Sequence, residues 1–229
     1  DKKIVILGTG GASQTTSIVA KHLGAESVVH ISRTGKNNYS NLKNHANANI
    51  LLNCTPVGMY PYVNNCPVSL SYFPQLEGVI DLIYNPLRTS LILNAIERKI
   101  PCVNGLYMLV KQGCAAAEIF LNKPIGREKT WEVYKTLCRR IENIALIGMP
   151  GVGKSTVGQL IATKMNRKFV DTDKLIQQKI GRSPAEIIRT NGEDTFRNIE
   201  SSVVKQIAKE NGLVIATGGG AVLHKENQI

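Results

Sequence analysis

Short unbroken apolar runs alternate along this chain with stretches whose apolar positions are spaced three and four apart, and that alternation predicts strands followed by helices. Lys3, Ile4, Val5, Ile6 and Leu7 read as a buried parallel strand, followed by a glycine-containing turn at 8–13 and a helical stretch at 15–23. Apolar runs at 27–31, 50–52 and 78–82 predict three more strands, with a polar stretch over 37–49 between the first two. Residues 90–99 have helical spacing, 101–103 form a short strand, and Asn104 with Gly105 opens a long helix through Leu121. Pro124 and Gly126 then break the chain, and a basic amphipathic helix over 127–141 sets Trp131, Tyr134, Leu137 and Ile141 on one face. That face is expected to be buried as core packing rather than to meet a membrane or nucleic acid.

The alternation restarts after 141–143, with no Gly/Ser linker: an apolar run at 144–147, a glycine-rich loop at 148–155, helical spacing at 156–165, a second strand ending near Asp171 and Asp173, a helix over 174–180, and a third strand from Leu213 into a glycine turn. Two separate strand–loop–helix starts in 229 residues argue for two α/β domains, 1–141 and 142–229, each with a parallel sheet and ligands at the C-terminal ends of its strands.

The loop between the strand at 144–147 and the helix after it carries the most specific chemistry. Gly148, Gly153, Lys154 and Ser155 satisfy G-x-x-x-x-G-K-[ST], a phosphate-binding loop in its proper context. Backbone N–H groups from Gly151, Val152, Gly153 and the helix start at Thr156 turn inward on an anion, Lys154 reaches the β- and γ-phosphates, and the Ser155 hydroxyl can join a Mg²⁺ shell. This points to ATP with Mg²⁺.

The N-terminal turn is a Rossmann-type start. Gly8, Gly10, Gly11, Ala12 and Ser13 allow a tight turn and close backbone approach to a pyrophosphate, although Ser13 stands where G-x-G-x-x-G has its third glycine. After the second strand an acidic residue would favour NAD. Here Ser32, Arg33, Thr34 and Lys36 supply two hydroxyls and two cations, a set suited to a 2′-phosphate and hence to NADP.

Composition narrows the classes further. Hydrophobic residues make up 43% and charged residues 20%, as in a soluble globular protein, and no apolar run approaches the length of a membrane span. The chain opens on Asp1, Lys2 and Lys3 without a signal peptide or initiating Met, which suggests a fragment. Five scattered cysteines and four histidines show no metal-ligand spacing, and reduced thiols in a cytoplasmic enzyme account for the cysteines. The net charge of +11 is spread as +4 over 1–121 and +7 over 122–229, with aromatics only 5%. Anionic cofactors and substrates are sufficient reason for it, and neither a nucleic-acid stripe nor a membrane partner is implied. Oligomeric state is not legible.

Five motifs in order carry a family resemblance over 1–141: Gly10 to Ser13; Ser32 to Thr34; Asn53-Cys54-Thr55-Pro56-Val57-Gly58-Met59; Asp81-Leu82-Ile83-Tyr84-Asn85-Pro86; and Asn104-Gly105-Leu106-Tyr107-Met108-Leu109-Val110-Lys111-Gln112. This part resembles the cofactor domain of shikimate dehydrogenase. The resemblance implies NADP on the 8–13 loop with Arg33, Thr34 and Lys36 at the 2′-phosphate. It also implies Gly105 in the cofactor site, Thr55 and Met108 near the nicotinamide, and Tyr84 and Gln112 toward the substrate. Family members usually have Asn where this chain has Ser32. The family's catalytic Lys/Asp pair lies in another domain with no counterpart here.

From residue 142 the chain resembles shikimate kinase. That resemblance implies Asp173 as candidate base toward the substrate hydroxyls, Asp171 with Ser155 at Mg²⁺, and Arg197 with Gly219 and Gly220 on the substrate; from the residues alone, Arg197 can grip a small carboxylate bidentately and the Gly218, Gly219 and Gly220 turn can present backbone N–H groups to it. The bland readings are N-caps for Asp171 and Asp173, and a surface i,i+3 ion pair for Arg197 and Glu200. The family continues past the point matching Ile229 with a lid, so the isolated chain is expected to bind nucleotides without turnover, and the exposed sheet edge to leave the second half marginal. Together the resemblances imply the middle of a bifunctional enzyme acting on 3-dehydroshikimate and shikimate. A kinase for another small polyol acid such as gluconate, or a nucleotide-binding fragment, remain the alternatives.

Overall fold

The computed structural model describes residues 2–224 and 227. Its contacts divide the chain into Asp1–Tyr134 and Lys135–Ile229, a division that falls inside helix α4 (Arg127–Ile141).

In the first unit the strands are β1 (Lys3–Leu7), β2 (Ser27–Ile31), β3 (Ile50–Asn53), β4 (Gly78–Asp81) and β5 (Cys102–Val103), all parallel, in the order β2-β1-β3-β4-β5. The side-chain period of two divides the core between the faces of this sheet. Val5, Leu7, Ile31, Leu51 and Val79 pack on one face with Leu42, Phe73, Leu91 and Ile92, the last two from α2 (Ser90–Glu97). Ile4, Ile6 and Leu52 pack on the other with Ala20 of α1 (Gly11–His22). Helix α3 (Leu106–Leu121) follows β5, burying Leu106, Val110 and Cys114. The first helix begins at Gly11 rather than Thr15, so the glycine turn is the helix N-terminus itself.

The aromatic stripe departs from expectation. Trp131 is 48% exposed and stacks on Tyr134 at 4.9 Å, and both meet Tyr107 of α3 edge-on at 5.8 and 5.5 Å. Thr130 is the buried residue of α4. Three rings covering one another shed water without a deep core.

In the second unit the parallel sheet runs β6 (Ile144–Leu146), β8 (Val214–Ala216), β7 (Phe169–Asp171). Helix α5 (Lys154–Met165) follows the phosphate loop, and α6 (Thr172–Ile180), α7 (Pro184–Asn191) and α8 (Glu193–Ile207) follow β7. Ile176, Ile187, Phe196, Val203 and Ile207 of α6, α7 and α8 close a core with Leu213 and Ile215. Among the described residues β6 pairs only with β8, and Val157, Leu160 and Met165 of α5 stand exposed. Among the described residues no helix is long and apolar enough to cross a membrane.

Candidate functional site

In the second unit, β6 ends at Leu146 and the chain turns through Gly148, Gly151 and Gly153, all at positive φ, before α5 starts at Lys154. A side chain resists that conformation, so the loop needs glycine there. The Lys154 ammonium donates to the carbonyls of Gly148 and Met149, both at 2.8 Å, closing the loop on itself. The Ser155 hydroxyl donates to Asp171 Oδ2 at 2.6 Å. Lys154, Ser155, Thr156, Asp171, Asp173 and Gly219 line one cleft of about 330 Å³.

The two carboxylates at the end of β7 divide their work. Asp171 is the N-cap of α6, its Oδ1 accepting from the N–H groups of Asp173 and Lys174 at 3.1 and 3.2 Å, while Oδ2 holds Ser155. Asp173 lies inside the first turn of α6; its Oδ1 is buried and, among the described residues, has no hydrogen-bond partner. Burial, followed by the like charges of Asp171 and Glu200, pushes its carboxyl above the ordinary range, against the pull of Lys154 and Arg197.

The Arg197–Glu200 pair is not a surface pair. Glu200 is fully buried and accepts from Arg197 Nη1 at 2.8 Å, while Arg197 Nη2 donates to the exposed Glu193 at 2.9 Å. Glu200 Oε1 is buried and has no partner among the described residues. The glycine triplet is what lets these groups converge. A Cβ on Gly218 would strike Glu200 and stand 2.9 Å from Asp173 Oδ1, one on Gly219 would stand 2.5 Å from Pro150, and one on Gly220 would strike the Arg197 guanidinium. Arg197, the triplet, Asp173 and the phosphate loop thus adjoin.

In the first unit, Gly10 is the N-cap of α1, and Gly10 and Gly11 face open space where a Cβ would stand, leaving a cradle at the helix N-terminus. Gly8 donates its N–H to Ile31 O at 2.8 Å, tying the turn to β2. Ala12 lies in the first turn of α1, and Ser13, in place of the third glycine, is fully buried and donates to Gly10 O at 2.7 Å. After β2, the Ser32 hydroxyl donates to the carbonyl of Thr34 and shapes the turn. Arg33, Thr34 and Lys36 are exposed on it, and neither cation forms an ion pair among the described residues.

A second cavity of about 410 Å³ opens between the loops after β3 and β4, lined by Ala12, Cys54, Thr55, Met59, Tyr60 and Tyr84 among others. Burial holds the Cys54 thiol above its usual range, against the Thr16 hydroxyl. Gly105 abuts the neighbouring strand end: its N–H donates to Ile83 O at 3.0 Å, and a Cβ would run into the Leu82 carbonyl. Met108 and Gln112 are exposed on α3 and do not line this cavity.

Behind the cavity is a group that the motifs contained without marking. Asn53 and Asp81 are opposed in the β3–β4 register, both fully buried, and Asn53 Nδ2 donates to Asp81 Oδ1 at 3.0 Å. Ile83 N–H also donates to Oδ1, at 3.1 Å, and Thr89 Oγ1 donates to Oδ2 at 2.6 Å. Burial lifts the Asp81 carboxyl above its ordinary range, against these three donors.

Comparisons with known proteins fall on the same two units. Residues 150–229 match the family model for shikimate kinase. The shikimate kinase of Symbiobacterium thermophilum is 49% identical over 86 residues, which are 38% of this chain and 49% of that protein. That of a Sulfurihydrogenibium species is 48% identical over 80 residues, 35% of this chain and 48% of its own. The chain spans about half the length of these curated relatives. Among solved structures, shikimate dehydrogenase 1 of Peptoclostridium difficile superposes with a TM-score of 0.56 at 35% identity, covering 59% of this chain and 54% of that one. A chorismate mutase/shikimate 5-dehydrogenase fusion protein of Clostridium acetobutylicum gives 0.57 at 32%, covering 60% and 53%. The chain therefore joins a Rossmann-type unit similar to shikimate dehydrogenases to a P-loop segment that matches the shikimate kinase family.

Proposed function

We propose that residues 1–141 bind NADP in a shikimate dehydrogenase and that residues 142–229 bind ATP with Mg²⁺ and shikimate in a shikimate kinase. One observation carries the kinase reading: a phosphate-binding loop, a carboxylate lacking a partner on one oxygen and an arginine next to a glycine triplet adjoin.

In the kinase unit, Lys154 exchanges two loop carbonyls for the β- and γ-phosphates of ATP. Ser155 and Asp171, already paired, are the residues that would hold Mg²⁺, which neutralises charge on the transferring phosphate. Arg197 stays anchored on buried Glu200 and exchanges exposed Glu193 for the carboxylate of shikimate. Gly219 and Gly220 offer backbone N–H groups beside it. Asp173 then accepts the proton of the attacking hydroxyl, and its raised affinity for a proton brings it closer to that task.

In the dehydrogenase unit, the cradle at Gly8, Gly10, Gly11, Ala12 and Ser13 takes the pyrophosphate, and Arg33, Lys36 and Thr34 take the 2′-phosphate, with Ser32 bracing their turn. NADPH held there would supply the hydride for reducing 3-dehydroshikimate to shikimate, with the resulting alkoxide taking its proton from a general acid or water. Thr55 and Met108 border the nicotinamide, Gly105 lets the third helix approach the strand ends, and Tyr84 and Gln112 face the substrate.

The test is titration of this chain with NADP⁺, NAD⁺ and Mg-ATP, together with turnover of the full-length gene product. NADP⁺ is expected to bind about tenfold or more tightly than NAD⁺. ADP release is expected to require shikimate. Equal binding of NAD⁺ removes the 2′-phosphate role of Arg33 and Lys36, and ADP release with gluconate in place of shikimate removes the kinase assignment.

A further inference from the structure

The cavity beside Thr55 and Tyr84 is walled by the segments that follow β3 and β4; across it Tyr60 N–H donates to Asn85 O at 3.1 Å, and at its root Leu82 N–H donates to Asn53 O at 3.0 Å. Buried side chains tie the same segments from behind. Asp81 gathers donors from three places: Asn53 at the end of β3, Ile83 at the root of the Tyr84 segment, and Thr89 at the start of α2. Asn53 passes the connection on, its Oδ1 accepting from both the N–H and the hydroxyl of Thr55 at 3.0 and 2.7 Å. Thr55 Oγ1 also accepts from Val57 N–H at 3.3 Å, so the hydroxyl is spent inward. Its methyl carbon is what lies toward the glycine turn, 3.2 Å from where a Cβ on Gly8 would stand.

We infer that Asp81 is a positioning residue for the nicotinamide end of the cofactor, holding the Thr55 and Tyr84 walls at one separation through Asn53 and Thr89. None of Asn53, Asp81 and Thr89 lines the cavity, whereas Cys54, Thr55, Leu82 and Tyr84 do, so the chain of bonds acts from behind the contact surface. All its partners are neutral donors. A carboxylate serves here because one side chain must accept three hydrogen bonds at once from separate elements, and a charged acceptor strengthens each of them. Thr55 accordingly meets the cofactor with its methyl group rather than as a hydrogen-bond donor.

This inference rests on the NADP reading of the first unit, and the experiment separates the two. Binding of NADPH, followed by nicotinamide emission, and of 2′,5′-ADP, which lacks the nicotinamide half, is measured on the chain and on Thr89→Val, Thr89→Ser and Asp81→Asn. Thr89→Val and Asp81→Asn are expected to raise the NADPH Kd about tenfold, the loss of one charge-assisted bond, and to reduce the gain in emission. The Kd for 2′,5′-ADP stays within about twofold of the unsubstituted chain, since its site is the glycine turn and the Arg33 loop. Thr89→Ser, which keeps the donor, restores both NADPH readouts. Parallel loss of both ligands shows a merely structural role and overturns the inference, as does unchanged NADPH binding in both variants. Failure of the unsubstituted chain to bind NADPH overturns the cofactor reading and this inference with it.

Discussion

Replacing Asp173 by Asn is expected to stabilise the second unit while removing kinase turnover. Among the described residues the carboxylate has a buried oxygen with no donor, and burial with the charges of Asp171 and Glu200 outweighs Lys154 and Arg197 in raising its pKa. At an effective dielectric of about 20, two like charges about 5 Å apart repel by about 3 kcal/mol. The two cations cancel part of this and solvent at the cleft screens the rest, leaving a net cost on the order of 1 kcal/mol. Asn keeps the shape and drops the charge. At about 1 kcal/mol per molar urea for a unit of this size, the unfolding midpoint near pH 7 rises by about 1 M. Circular dichroism follows both units, and Trp131, packed on Tyr107, reports the first unit separately. The direction with pH is fixed by linkage. A carboxyl whose folded pKa lies above its unfolded value is destabilising once ionised, and that cost is relieved as pH falls through the folded pKa. The advantage of Asn therefore shrinks as pH falls through the raised folded pKa and vanishes by about pH 3, below the unfolded carboxyl's ordinary value, where the wild-type group is protonated in both states. Turnover in the full-length protein falls by about 10²–10⁴ if Asp173 is the base. A midpoint lowered at neutral pH, or a gain that persists in acid, refutes the electrostatic account.

Other substitutions probe the remaining parts. Gly105→Ala forces a Cβ into the Leu82 carbonyl and is expected to cost about 3 kcal/mol, read as a lower midpoint in the Trp131 signal; a neutral effect means the contact yields cheaply. Arg33→Ala is expected to raise the NADP⁺ Kd about tenfold and leave that for NAD⁺ unchanged, by titration calorimetry, since it removes a contact to a group NAD⁺ lacks. Lys154→Met is expected to weaken Mg-ATP binding about a hundredfold without moving NADPH binding. Retained ATP affinity would exclude the loop as the phosphate site.

Features that depend on near neighbours in sequence were legible. The strand–glycine–helix order at 3–23 and 144–165 and the parallel sheets follow from local periodicity and turn chemistry, because each element is specified within its own window. Features that need register or burial were not. The spacing of Arg197 and Glu200 leaves a surface i,i+3 pair open as the alternative to a substrate-binding arginine, and only the packing of α8 under the glycine triplet shows that Glu200 is inside. Asn53 and Asp81 stand 28 residues apart, and their pairing depends on how β3 aligns with β4. The exposure of Trp131 likewise rests on tertiary packing, where a helix-face argument forecasts burial. Helix α7 carries its signal in the residues themselves: Ser183 and Glu186 form a capping box, with Pro184 in the first turn.

The Asn53–Asp81 pair also bears on how the first sheet assembles. Parallel strands rich in Val, Ile and Leu on both faces can slide past one another with little loss of apolar contact, because one branched side chain replaces another. A slip of β4 by one residue would set Ile80 against Asn53 and leave the Asp81 carboxylate without the amide donor, a penalty of about 1–3 kcal/mol for a buried acceptor left unmade. The two polar side chains thus act as an alignment mark in an otherwise greasy sheet, admitting one register among several of similar hydrophobic content. A folding chain that misaligns these strands is penalised before any ligand arrives.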